Sequence, residues 1–169
     1  MTTAWVPLAE ITLTSTDSEI TFGSIPNTYR DLIVVFQYTS TSSNPLLTIR
    51  FNGDSGSNYS FVNMIGSSFG APSSSSSTLT SIYPEAGNQS GPGTELGRGI
   101  WKFEIMDYSA TDKHKTVLQR HNSIQASGTW TTAQASRWAN TSAITSINFN
   151  TSVAMAIGST FALYGSNKL

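Results

Sequence analysis

In the stretch Gly99-Ile100-Trp101-Lys102-Phe103-Glu104-Ile105-Met106-Asp107-Tyr108, every second side chain from Trp101 to Ile105 is apolar. A period of two belongs to a half-buried strand, because successive side chains of a strand point to opposite faces. The same reading extends in both directions. Downstream, Lys115-Thr116-Val117-Leu118-Gln119-Arg120 follows a turn at 110–113. Then come 128–138 with Trp130 and Trp138, the alternating 143–149, and Ile157 to Gly165, which closes the pattern. Upstream, Trp5 to Thr14 reads as a half-buried strand and Glu19 to Phe22 continues it after the polar turn 15–18. Asp31 to Thr39 holds five consecutive apolar residues rich in Val and Ile, as a central strand does, and Leu46 to Phe51 ends at the Asn52-Gly53-Asp54 turn. Between these strands, 66–77 with its serine run and 84–99 with its Gly and Pro read as long loops, and 78–83 as a short strand. The expectation is an all-β chain of eight to ten strands with little helix. It forms one domain over 1–169, an antiparallel sandwich whose long connections favour a jelly roll over an up-and-down barrel.

Composition narrows the function. With 169 residues, the chain is long enough to bury roughly 70% of its unfolded surface without staples. It has no cysteine, which removes disulfides, Cys-based zinc sites and thiol nucleophiles, and its two histidines are too few for most all-His metal sites. Nine basic and ten acidic side chains give a net charge of −1, unlike a duplex-binding protein, so no nucleic-acid partner is expected. Solubility rests on 49 Ser and Thr rather than on charge, and low charge favours association. Residues 1–13 carry no secretory signal, and the longest apolar run, 32–36, is far too short for a membrane span. The expectation is a soluble chain starting at its own Met1, with no membrane partner.

Candidate chemistry is sparse. Gly66-Ser67-Ser68-Phe69-Gly70 matches the G-x-S-x-G nucleophile pattern, but it runs into Pro72 and a serine tract instead of a helix. His114 and His121, with Asp107 or Asp112 as orienting groups, are seven residues apart and would face opposite sides of one strand. Asn52, Asp54 and Asn58 space side-chain oxygens loosely like a calcium loop, without the terminal bidentate Glu of an EF-hand; the same residues suit a structural turn. Trp101, Trp130 and Trp138 could stack on sugars or sit in the core. The sequons at Asn58, Asn88, Asn140 and Asn150 read as accidents of composition. No catalytic residue and no cofactor is expected. Trp5, Pro7, Trp130 and Trp138 are the interface candidates, with residues 1–8 as a contact arm.

Three segments carry a resemblance: Ser24-Ile25-Pro26-Asn27-Thr28-Tyr29-Arg30-Asp31-Leu32, Phe51 to Tyr59, and Gly158 to Gly165. In this order and spacing the chain resembles small structural proteins of tailed bacteriophages, including cyanophages, over most of its length. The resemblance implies a jelly-roll-like domain that oligomerises, often as a trimer, on the capsid or tail, and it implies no catalytic residues. The function expected from it is a capsid decoration (cement) protein bound to the major capsid protein on the outer surface of the virion. The alternative is a tail-fibre or receptor-binding head that recognises host glycan.

Overall fold

The computed structural model describes residues 5–41, 45–68, 70–84, 99–125 and 128–166. They form β1 (Trp5–Thr12), β2 (Asp17–Phe22), β3 (Asp31–Gln37), β4 (Leu47–Phe51), β5 (Tyr59–Ser67), β6 (Ser73–Leu79), β7 (Gly99–Met106), β8 (Lys115–Gln125), β9 (Gly128–Trp138), β10 (Ile147–Met155) and β11 (Thr160–Ser166). One sheet has eight strands in the order β1-β11-β3-β7-β8-β9-β5-β6, the other three in the order β2-β10-β4, and every pairing is antiparallel.

The connectivity is that of a jelly roll. Strands β1, β2, β3 and β4 enter the two sheets alternately, and β10 and β11 do so again, so the frame consists of β1-β11-β3-β7 facing β2-β10-β4. The small sheet gains a fourth member at Ile82, whose N–H and C=O exchange 2.9 Å hydrogen bonds with those of Ile49. Two hairpins, β5-β6 and β8-β9, then carry the large sheet beyond β7, to a strand count above the eight to ten expected. Part of the added count comes from the serine run. Expected as loop, it is β6, where Ser73 to Ser76 pair with Met64 to Phe61 and the Ser74 N–H and hydroxyl both donate to Asn63 Oδ1 at 2.9 Å. Backbone pairing with an existing strand outweighs the weak strand preference of serine. Of the expected loop 84–99, residues 85–98 lie outside the described residues.

The core sits between the jelly-roll sheets and is rich in aromatic rings. Phe36 on β3 stacks on Trp101, Phe103 and Phe161 of its own sheet at 5.2–5.4 Å and meets Phe149 of the opposite sheet edge-on at 5.2 Å. Pairs of this kind add about 0.5–1.5 kcal/mol each beyond the area they bury. At one end, Tyr29 lies over Gly165, where an added Cβ would come 2.4 Å from the ring, so only glycine admits the tyrosine. Beside it, the fully buried Tyr108 donates its hydroxyl proton to the Pro26 carbonyl, fixing the approach to β3.

Candidate functional site: the outer face of the extended sheet

From β7 outward the large sheet departs from the usual polarity, burying polar side chains beside Tyr59, Phe61, Val117 and Trp138 and exposing large apolar ones. Its inner face buries Asn63, Gln119, His121, Thr132, Gln134 and Ser136. Its outer face exposes Val62, Met64, Ile100 and Leu118, each at 51–67%. Register arranges the outer side chains in four rows across β7-β8-β9-β5: Ile100-Asn122-Thr131-Gly66, Lys102-Arg120-Ala133-Met64, Glu104-Leu118-Ala135-Val62 and Met106-Thr116-Arg137-Ser60. In the two middle rows Ala133 and Ala135 are the smallest side chains, between walls of Leu118 and Arg120 on one side and Val62 and Met64 on the other. The result is an apolar groove of about 370 Å³ running along β9.

Charge on these rows is unbalanced. Lys102, Arg120 and Arg137 stand against the single carboxylate of Glu104, a net of +2 on a chain of net −1. Lys102 pairs with Glu104 and also lies 4.7 Å from the centroid of the Trp5 ring, a cation–π contact. Arg120 and Arg137, both exposed, enter no ion pair among the described residues.

The inner face beneath is polar but closed. His121 stacks on Trp101 at 5.4 Å with its ring nearly parallel, and burial pushes its imidazole down to about 4. Among the described residues, His121 Nε2, Thr132 Oγ1 and Gln119 Oε1 are buried without a hydrogen-bond partner. Lys115 is buried too; burial lowers its pKa, and its ammonium donates to the Lys113 and Thr141 carbonyls at 2.9 and 3.2 Å.

The structure redistributes the residues singled out from the sequence. Trp138 is corrected from interface to core. It is 1% exposed, packs against Phe51 and Tyr59, and its Nε1 donates to Asp54 Oδ2 at 2.7 Å, so it offers nothing to a partner. Trp101 is likewise core, at 2% exposed, which takes both out of any sugar-stacking platform. Trp130 is half-buried in β9. Trp5 and Pro7 are exposed on β1, with Trp5 5.9 Å from Tyr164 by ring centroids, so the described part of the contact arm is a paired edge strand rather than a loose tail; residues 1–4 lie outside the described residues.

The three calcium candidates do not converge. The Asn52 side-chain oxygen accepts from the Thr145 and Ser146 backbone at 2.8 and 3.1 Å. Asp54 takes N–H donors on both oxygens, from Gly56, Asn58, Trp138 and Asn140 at 2.7–3.4 Å. Burial alone would raise its carboxyl, but these donors outweigh that effect and hold it below the usual value. Asn58 contributes its amide nitrogen, not its oxygen, to this cluster. A cation there would have to displace four donors, and among the described residues no three acidic or histidine side chains gather to hold a metal. The segment is a latch that ties the β4–β5 turn to the end of β9.

Ser68 lies at the β5–β6 hairpin tip, its hydroxyl 3.4 Å from the Thr129 N–H, with no helix behind it. His114 is exposed in the turn before β8 while His121 points inward, so the two do not meet. The outer groove was missed because period-two reading identifies two faces of a strand but not which one is covered. The legible signal was Val62, Met64 and Leu118 interleaved with Asn63, Gln119 and charged residues. Comparison with protein-family models and with curated proteins found no match.

Proposed function

We propose that the chain is a structural protein of a tailed-bacteriophage virion, a capsid decoration (cement) protein that binds the major capsid lattice on its outer surface, as a homotrimer. The observation that carries the reading is the exposed apolar groove of the extended sheet, rimmed by charged residues and held open on a rigid all-β frame. Contiguous exposed apolar surface of this kind marks sites of protein contact. A protein that binds only the assembled lattice stabilises it by mass action, by about 2.7 kcal/mol per site at a hundredfold excess over Kd. Trivalent attachment raises the effective concentration of each further contact. The resemblance of 24–32, 51–59 and 158–165 to phage structural proteins supports the same conclusion.

The test is co-sedimentation of the purified full chain with emptied shells of the phage that encodes it. Saturable binding to shells, with a rise in the temperature at which they burst, is expected; a chain that stays in the supernatant at every concentration refutes the proposal. The glycan-binding head is the second reading, favoured by the exposed Trp5 beside the half-buried Tyr164. It requires a glycan-array signal that Trp5→Ala abolishes.

A further inference from the structure

We infer that the β7-β8-β9-β5 outer face is the surface that meets the capsid, and that its partner presents an apolar side chain ringed by carboxylates. The inference rests on the decoration reading and supplies the partner chemistry which that reading leaves open. The groove along β9 is two strand spacings wide, about 10 Å, which admits one row of side chains from an opposing surface. Its Ala133–Ala135 floor and Leu118, Val62 and Met64 walls fit an aliphatic or aromatic side chain. Arg120, at the edge of the floor and without an ion pair among the described residues, is placed to take a carboxylate in a bidentate pair. Arg137, two residues beyond Ala135 on the same face of β9, is placed for a second.

A second copy of the chain is the obvious competitor, and both charge and size oppose it. Two such faces brought together would set three cations and one carboxylate against the same set, and like charges across an interface disfavour the pairing. The four rows span about 20 Å by 14 Å, roughly 300 Å² of sheet, by standard strand dimensions. A stable dimer buries about 800 Å² per partner. A patch of this size serves as the anchor of a larger or repeated contact, as a trimer on a lattice provides.

The experiment measures shell binding of wild type, Arg120→Glu, Ala135→Gln and Arg120→Lys at several salt concentrations, with sedimentation velocity of each free protein. Both positions are exposed, so the three variants keep the fold, and circular dichroism verifies it. Expected are a loss of about tenfold or more in affinity for Arg120→Glu and for Ala135→Gln, a smaller loss for Arg120→Lys, which keeps the charge but not the bidentate geometry, and wild-type binding that weakens with salt. Wild-type affinity in Arg120→Glu and Ala135→Gln overturns the inference while leaving the decoration reading intact. A wild-type oligomer that these two substitutions dissolve identifies a second copy as the occupant and likewise overturns it. Failure of the wild type itself to bind shells removes the decoration reading and the inference with it.

Discussion

His121 makes the stability of the domain depend on acid in a way that a single substitution isolates. In the unfolded chain its imidazole takes up a proton near the ordinary value of 6.5; buried against Trp101, it refuses one until about pH 4. Between those values the unfolded state binds more protons than the fold, so stability falls as pH falls. The contribution is intact above the unfolded value and is lost progressively down to the folded one. The linkage amounts to about 2 kcal/mol lost by pH 5 and about 3 kcal/mol by pH 4. The perturbation is His121→Phe, which keeps a ring on Trp101 and removes a buried nitrogen that has no partner among the described residues. The assay is urea unfolding of wild type and variant between about pH 8 and pH 4. At neutral pH the variant is expected to equal or exceed wild type, since replacing an unpaired buried polar group by an apolar one is near neutral or favourable. In acid the wild-type curve should fall away from the variant by the amounts above, while carboxylate titration, common to both, cancels in the difference. Parallel curves over the whole range would refute the assignment of a buried neutral imidazole.

Gly165→Ala should destabilise by about 1–3 kcal/mol in urea melts, because the new methyl meets Tyr29 at 2.4 Å; pairing it with Tyr29→Ala should recover part of that loss, and additive costs would deny the contact. Asp54→Ala strands the Trp138 N–H and the Asn58 and Asn140 amides, at a cost of about 1–3 kcal/mol with a shifted Trp fluorescence maximum, whereas Asp54→Asn should cost less because one acceptor oxygen remains. Since Asp54 is held below its usual carboxyl value of 3.8, its contribution is present above that pH and lost as pH falls through the lowered value, on the acid side of the His121 window.

How far the sequence exposes this architecture depends on which signal each strand carries. The jelly-roll strands were legible because their inward residues are large and apolar: Trp101, Phe103 and Ile105 on β7, Phe161 and Leu163 on β11, Ile147 and Phe149 on β10. Leu32 to Phe36 read as a central strand, and it is one, flanked by β11 and β7. Strand β6 was illegible because Ser73 to Ser77 carry no periodicity, and β5 supplies the template that orders them. The use of Asp54 escaped for a different reason. Its partners Trp138 and Asn140 lie 84 and 86 residues away, and nothing local in 52–58 distinguishes a carboxylate that accepts N–H donors from one that binds a cation.

The unusual polarity of the extension follows in part from register, and the remainder is what calls for a partner. Sliding β9 by one residue would turn Ala133 and Ala135 inward and Gln134 outward, the customary arrangement. It would also expel Trp138, which buries roughly 150–250 Å², or about 4–6 kcal/mol, against about 0.8 kcal/mol for each alanine methyl gained. The Trp138–Asp54 bond and the packing on Phe51 and Tyr59 therefore pin the register from one end and leave the polar positions facing in. That accounts for the buried glutamine and threonine. It does not account for Val62, Met64 and Leu118. With the register fixed by inward residues, each outward position would tolerate a serine or threonine, the residues this chain places over so much of its surface, at almost no cost to the fold. Three large apolar side chains on two strands around a floor of alanines contribute little to folding while exposed, and what they offer is realised when another protein covers them.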